Sequence, residues 1–222
     1  MKKLVFIPLT VFCFFTASCQ NPHEKYKAEA AEKQKNIQPV EAKAENGLRK
    51  AYFASGCFWC VEPIFESVYG VVESHSGYAG GHTKNPTYEQ VMTGRTGHAE
   101  TVEVIYDPNK ISFETLLDVY FNSQNITQVN GQGPDTGSQY RSIIFYQNKN
   151  EKEIIDRKID AINLTLHQGE VAAQVLPFEK FWQAEDYHQN FKRNNPTNPY
   201  ILNVSNPRFN NFKQKSVAPL KE

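Results

Sequence analysis

Two thiols, Cys57 and Cys60, frame the aromatic pair Phe58-Trp59 directly after Gly56. The stretch follows a short apolar run, Ala51-Tyr52-Phe53-Ala54, and precedes a periodic one, Val61, Ile64, Phe65 and Val68. That order reads as strand, tight turn and helix. It puts Cys57 at a helix N-terminus, where unpaired backbone N–H groups and the helix dipole favour the thiolate and draw its pKa below the free value of about 8.5. A thiolate there is a nucleophile. Cys60 lies about one turn along the same face, with Cβ atoms roughly 5–6 Å apart, close enough for a disulfide after modest adjustment at a frayed helix end. Phe58 and Trp59 add an apolar, polarizable surface of the kind that attracts sulfur.

Other chemistries use a CxxC. A structural zinc site needs four ligands, and no second CxxC or closely spaced His pair follows, so no metal is expected. An inert buried disulfide suits an exported chain. A thioredoxin-like dithiol is the main rival, because CxxC near alternating strands and helices is its signature.

The elements that must hold this pair occupy only part of the 222 residues. Lys2 and Lys3 precede an apolar run from Leu4 to Ala17, too short to span a bilayer comfortably, and Ala17-Ser18 stands immediately before Cys19. The pattern resembles a bacterial lipoprotein signal peptide, with Thr16 where Leu is usual. The resemblance implies residues 1–18 as signal peptide, lipid on Cys19, export, and a membrane-anchored protein of the cell envelope or periplasm. An ordinary signal peptide cut nearby is the alternative. Residues 19–47, rich in Ala, Glu, Lys and Gln, read as a flexible polar tether with at most a short fluctuating helix around Lys25 to Lys35. Residues 48–215 fit one domain of ordinary size. With 24 basic and 24 acidic side chains the net charge is zero, and nothing advertises nucleic acid.

Within the domain, strands are predicted over 50–54, 71–78, 101–106, 143–146 and 171–176, and helices over 57–68, 112–121, 150–166 and 184–192. A further helix start lies at Asn85-Pro86, with Asn85 as cap. Residues 122–139 form a long Asn-, Gln- and Gly-rich loop, of a length that is usually functional. After the last helix a polar, Pro-studded tail is expected to run over the surface. The pattern favours a two-layer α+β fold with helices packed on a mixed sheet.

Six segments, in order, carry a family resemblance: Gly56-Cys57-Phe58-Trp59-Cys60, Ser76-Gly77-Tyr78-Ala79-Gly80-Gly81, Asn85-Pro86-Thr87-Tyr88, Thr93-Gly94-Arg95-Thr96-Gly97-His98-Ala99-Glu100, Asp135-Thr136-Gly137-Ser138-Gln139-Tyr140-Arg141-Ser142 and Ala184-Glu185-Asp186-Tyr187-His188-Gln189. Together they resemble the A-type peptide methionine sulfoxide reductases. The resemblance implies a ferredoxin-like α+β core and reduction of the S epimer of methionine sulfoxide, free or in proteins. It makes Cys57 the nucleophile, Glu100 the acid, Phe58 and Trp59 the cradle of the substrate S-methyl, Tyr88 and Tyr140 the hydrogen-bond donors to the oxygen, and Asp135 the carboxylate that orders that polar end. The chemistry is sensible, because oxygen leaves a sulfoxide poorly unless protonated, and a partly buried carboxyl can supply the proton. Read without the family, Glu100 would be a solvated edge residue, and Tyr88 and Tyr140 core or rim aromatics.

Oxygen transfer leaves a cysteine sulfenic acid, which condenses with a nearby thiol. Cys60 stands where many relatives have Gly and use a cysteine in the tail, whereas residues 194–222 contain none. The family's CxxC subgroup closes its disulfide within the motif, which implies a Cys57–Cys60 bond reduced by an external thioredoxin-like donor, no bound cofactor, and a monomer. Departures lie in the long loop: Gln124-Asn125-Ile126 replaces His-Asp-Pro, Gly131 replaces a common Arg, and Pro134 a frequent Asn. Two other functions use the same features, a disulfide exchange protein and a noncatalytic lipoprotein that binds partners through its aromatic patch. Glu100, Tyr88 and Tyr140 argue against disulfide exchange, which needs no acid for an oxygen leaving group.

Overall fold

The structure is a computed structural model that describes residues 22–33, 35–166 and 170–221; the signal peptide reading and Cys19 lie outside the described residues. A sheet is built from β1 (Arg49–Ala54), β2 (Val71–Ala79), β3 (Ala99–Tyr106) and β6 (Ile143–Tyr146), widened by β7 (Gln174–Pro177) and β8 (Trp182–Gln183). The spatial order is β7-β6-β1-β3-β2-β8. β3 lies antiparallel between β1 and β2, β6 is antiparallel to β1, and β7 is parallel to β6. With α2 (Phe58–Glu66) connecting β1 to β2 and α4 (Phe113–Asn122) between β3 and β6, the four inner strands form the ferredoxin-like core expected.

Period-two alternation decides what each face carries. Ala51 and Phe53 of β1 and Val102, Val104 and Tyr106 of β3 pack with Ile64, Phe65, Leu116 and Leu117 in the main core. Tyr52, Ala54, Ala99, Ile143 and Phe145 form a second, smaller cluster on the opposite face. That second face is covered by Phe178 and Phe181, and also by Ala30 of α1 (Pro22–Lys33) and by Ala42. The Val40 N–H donates to Phe178 O at 2.7 Å and the Ala42 N–H to Gln147 Oε1 at 2.8 Å. The stretch read as a tether therefore lies against the sheet between these points. Its few apolar residues, spaced along an otherwise polar sequence, are what the sheet takes up.

Local chemistry explains the other departures. The helix expected to start at Asn85-Pro86 begins later, as α3 (Tyr88–Met92), because Thr87 and Gln90 close a two-way capping box, while Asn85 takes a left-handed φ of 47°. The strand predicted over 171–176 pairs only from Gln174. The Val171 and Ala172 N–H groups go instead to Asn163 Oδ1 and Ile126 O. The helix predicted over 184–192 does not form as one element. After β8 the stretch is a 3-10 turn (Asp186–His188) and the start of α6 (Phe191–Asn194), separated by Asn190 at φ 55°. Gln189 takes the backbone groups of Ser76 and Ala184, and Glu62 takes the Asn190 N–H, so helical i→i−4 bonds lose their partners here.

The tail is the largest correction. A π-helical turn (Ile201–Ser205) runs into α7 (Asn206–Lys215), with Ile201, Ser205 and Phe212 buried. One cause lies in α2. Pro63 has no N–H, which leaves the Trp59 carbonyl without its helical donor. Ser205 Oγ donates to that carbonyl at 3.3 Å and fastens the tail to the helix that carries the thiols.

Candidate active site

Gly56 makes the turn from β1 into α2 at φ 81°, and a Cβ there would meet Gln132 Cβ at 2.5 Å. Only glycine fits such a close approach at positive φ. Cys57 then takes the N-cap position of α2, with φ −60° and ψ 126°, and its carbonyl accepts from the Cys60 and Val61 N–H groups. Neither cysteine is in a disulfide, and both are buried.

Burial corrects the expectation of a ready thiolate at Cys57. Burial pushes the Cys57 thiol well up, and its hydrogen bond with Cys60 and, once it ionises, the Glu100 carboxylate push the same way. The Cys60 thiol is held down at about 6, first by the hydrogen bond from Cys57 and then, against burial, by the positive charge of Arg208. Burial thus disfavours an anion on Cys57, while the hydrogen bond from Cys57 and the charge of Arg208 favour one on Cys60. The helix start favours an anion, but solvent exclusion at Cys57 outweighs it.

Glu100 lies on the core-facing side of β3, in register with Tyr78 of β2, and is 2 % exposed. Its Oε2 accepts the Phe58 N–H at 2.8 Å. Burial raises its pKa to about 8, opposed by the Phe58 hydrogen bond and assisted by the charge of Asp135. Glu100 is therefore a neutral acid at pH 7, aimed at the first turn of α2, and not a solvated edge residue.

Three phenols face the same groups. Burial holds the Tyr88 hydroxyl up at about 12, with Glu100 and Cys57 adding to the effect. Tyr140 is shifted upward by burial and by the same two neighbours, and its hydroxyl donates to Met92 Sδ at 3.4 Å. Both remain donors at neutral pH. The third, Tyr200, comes from the tail, and its hydroxyl lies 3.6 Å from Cys60 Sγ and donates to Asp135 Oδ2 at 2.5 Å. Asp135 is thereby tied to Cys60 through the Tyr200 hydroxyl.

Phe58 is buried, with its ring 4.8 Å from His188 and 6.5 Å from Tyr88. Trp59 is half-buried, stacks on Phe191 at 3.6 Å, and donates from Nε1 to His188 Nδ1 at 3.0 Å. His188 is wholly buried and kept neutral by burial, so Nδ1 can accept. Glu185 holds the same wall, accepting from the Tyr78 hydroxyl and the Tyr88 N–H, each at 2.9 Å.

All the sequence-assigned domain residues, Cys57, Phe58, Trp59, Cys60, Tyr88, Glu100, Asp135 and Tyr140, converge on the start of α2. Sequence reasoning gave no role to His188, Glu185, Glu62 or Tyr200. The first two sit inside a segment singled out above. Tyr200 had a weaker signal: Ile201, Val204, Phe209 and Phe212 recur at near-helical spacing, which marks a buried face in a tail otherwise polar. The unusual loop ties itself together. Gln132 Oε1 accepts the Asn125 N–H at 2.8 Å, and Gln124 Oε1 accepts from Gln132 Nε2 and Ser142 Oγ. Gly131 pairs with Thr136 in a short hairpin, β4 (Gly131–Gln132) and β5 (Asp135–Thr136). A Cβ at Gly131 would lie 2.5 Å from Asp135 O, so an Arg does not fit this hairpin.

A hydrogen-bonded thiol pair beside a neutral carboxyl can accept an oxygen atom and release it as water, which is the work of a thiol-dependent oxidoreductase. The comparisons narrow the class. Residues 49–220 match the family model described as peptide methionine sulfoxide reductase. The chain is 46% identical over 168 residues to peptide methionine sulfoxide reductase MsrA of Pasteurella multocida, covering 75% of this chain and 95% of that one. It is 45% identical over 177 residues to MsrA 2 of Mesorhizobium japonicum, covering 79% and 91%. Methionine sulfoxide reductase A of Corynebacterium diphtheriae superposes with a TM-score of 0.60 at 36% identity, over 72% of this chain and 83% of that one. Reduced Mxr1 of Saccharomyces cerevisiae gives 0.60 at 28%, over 72% and 93%. The chain belongs to the peptide methionine sulfoxide reductase family. It is an oxidoreductase that returns methionine sulfoxide to methionine.

Proposed function

We propose that Cys57 attacks the sulfur of methionine-S-sulfoxide, that Glu100 protonates the departing oxygen, and that Cys60 resolves the product as a Cys57–Cys60 disulfide. The observation that carries this reading is the buried Glu100 carboxyl, neutral at pH 7 and bonded to the N–H of the residue next to the nucleophile. In the first step the Cys57 proton passes to Cys60 and the Cys57 sulfur bonds to the sulfoxide. The S–O bond breaks, the oxygen passes to Cys57 with the Glu100 proton as S–OH, and the bond between the two sulfurs breaks as methionine is released. The substrate sulfur gains two electrons and the Cys57 sulfur loses them.

In the second step the Cys60 sulfur displaces the hydroxyl from Cys57, forming the S–S bond. The two protons of the water released are the one that began on Glu100 and the one that passed from Cys57 to Cys60. A neutral carboxyl also removes the repulsion that opposes a charge on Cys57, so a protonated Glu100 serves both sulfur and oxygen. Tyr88 and Tyr140 donate to the oxygen, while the Trp59 face takes the S-methyl. A thioredoxin-like dithiol then reduces the disulfide by exchange.

The cellular setting belongs to the same proposal. The charged start, short apolar run and Ala17-Ser18-Cys19 support lipidation of Cys19 and work on oxidised proteins at the cell envelope. Turnover of separately prepared S and R epimers of a methionine sulfoxide peptide, with a chemical dithiol, tests the catalytic reading. Turnover of the S epimer alone is expected, and equal turnover of both would overturn the stereochemical assignment.

A further inference from the structure

The tail brings a cation to the turn that precedes the thiol pair. Arg208 on α7 reaches under the β1–α2 turn, where Nη1 donates to Ser55 O at 2.8 Å, Nη2 to Ser55 Oγ at 3.0 Å, and Nε to Ser123 O at 2.7 Å. Ser55 is fully buried and Ser123 nearly so. Nη1 also lies 3.4 Å from where a Gly56 Cβ would stand, one residue before the nucleophile. Three N–H groups of the planar fork are thus taken by three oxygens of two segments, all neutral. Its positive charge is not neutralised by its own hydrogen bonds, and it bears on Cys60 and on Asp135.

We propose that Arg208 is a positioning residue of the resolving step: it clamps the turn ahead of Cys57 and holds a positive charge, with only neutral hydrogen-bond partners, under the start of α2, so that Cys60 attacks the sulfenic acid as a thiolate. This rests on the assignment of Cys60 as the resolving thiol. Oxygen transfer delivers the Cys57 proton to Cys60, and that proton must leave before the sulfur can attack. A cation nearby favours its loss. In the step itself the Cys60 sulfur is oxidised and the Cys57 sulfur reduced, the S–S bond forms as the S–O bond breaks, and the hydroxide takes up the proton. The other charged or titratable groups around Cys60 are Cys57 on its own helix, Glu100 from β3, Asp135 behind Tyr200, and Lys192 on α6. Lys192 is the competing cation, but it lies over the Phe209 ring at 3.8 Å and is itself held low, first by burial.

The test is a single turnover of the full chain with one equivalent of an S-sulfoxide peptide, reading methionine formed and, by 1,3-dicarbonyl trapping and mass spectrometry, the lifetime of the Cys57 sulfenic acid. Arg208→Met is expected to form methionine as wild type does and to lengthen that lifetime at pH 7 by about tenfold or more, the difference closing toward pH 9.5 as Cys60 deprotonates unaided. Arg208→Lys restores a charge without the fork and is expected to recover most of the rate, while Lys192→Met leaves the lifetime near wild type. An unchanged lifetime in Arg208→Met, an equal slowing in Arg208→Lys with no shift in pH profile, or the same effect from Lys192→Met overturns the inference. If Arg208→Met does not fold, Arg208→Lys decides by whether its pH profile keeps the wild-type position. Absence of a Cys57–Cys60 disulfide in oxidised wild type would overturn the resolving assignment as well. A normal disulfide with an unaffected Arg208→Met overturns the role of Arg208 alone.

Discussion

The Phe58 N–H and the Glu100 carboxyl form a 2.8 Å hydrogen bond that joins the first turn of α2 to β3 across the reaction centre. The bond orients the carboxyl toward the first turn of α2, beside the Cys57 thiol with which it also hydrogen-bonds. Burial of the same group keeps its proton in place to about pH 8.

Glu100→Gln keeps an acceptor for Phe58 but has no proton to give. Oxygen transfer in a single turnover is expected to fall by roughly a hundredfold or more. In wild type the step should slow as pH rises through about 8, where the acid ionises. Equal rates for the two proteins across neutral pH would remove Glu100 from the reaction.

The same carboxyl carries a stability signature. Its folded pKa is raised from 4.5 to about 8, so its contribution is fully present below the unfolded value and is lost as pH rises through the folded one. At about 1.4 kcal/mol per unit the loss is several kcal/mol by pH 9. Denaturant titrations should show Glu100→Gln more stable than wild type at pH 9 and similar to it at pH 4. A constant difference between those two pH values would contradict the raised pKa.

The two cysteines separate by step. Cys57→Ser is expected to abolish oxygen transfer, because an alcohol is far less nucleophilic than a thiolate at neutral pH. Cys60→Ser should still form one equivalent of methionine per enzyme and accumulate sulfenic acid on Cys57, with recycling by thioredoxin sharply reduced. Normal thioredoxin-supported turnover by Cys60→Ser would refute the in-motif disulfide.

Gly56→Ala places a Cβ 2.5 Å from Gln132 Cβ at a φ of 81°. A loss of about 1–3 kcal/mol in urea unfolding is expected from the backbone strain, together with slower oxygen transfer as the turn before Cys57 shifts. Unchanged stability would mean that the 124–132 loop yields freely.

Cys19→Ser should release most of the full-length protein from the membrane fraction, and the mature wild-type N-terminus should carry lipid on Cys19. Mass spectrometry showing an unmodified Cys19 would rule the anchor out.

The chemistry was more legible than the scaffold around it. The CxxC motif, Glu100 and the two tyrosines were readable because residue type and family order coincide; the ferredoxin-like core came with the same resemblance, while periodicity alone gave strands such as β3 and the two-layer α+β class. The protonation of the pair was not legible, since a local rule about helix starts says nothing of the solvent excluded by Tyr200 and Glu100 from distant segments. The break at Gln189-Asn190 was hidden for a related reason: the Gln189 side chain is held by Ser76 and the Asn190 N–H by Glu62, both more than a hundred residues earlier. Residues 200–212 looked like surface because their polar content masks the four apolar contacts that seat them.

That seated tail has a consequence for how the enzyme cycles. A reductase that keeps its second thiol on a remote strand of chain must loosen that strand at every turnover, whereas the proposed Cys57–Cys60 bond moves the oxidising equivalent one helical turn. Residues 194–222 contain no cysteine, and Ser205 and Phe212 are buried against the body of the domain. The amides of α7 should then show the same hydrogen-exchange protection in reduced and oxidised protein, with redox-dependent deprotection confined to the first turn of α2.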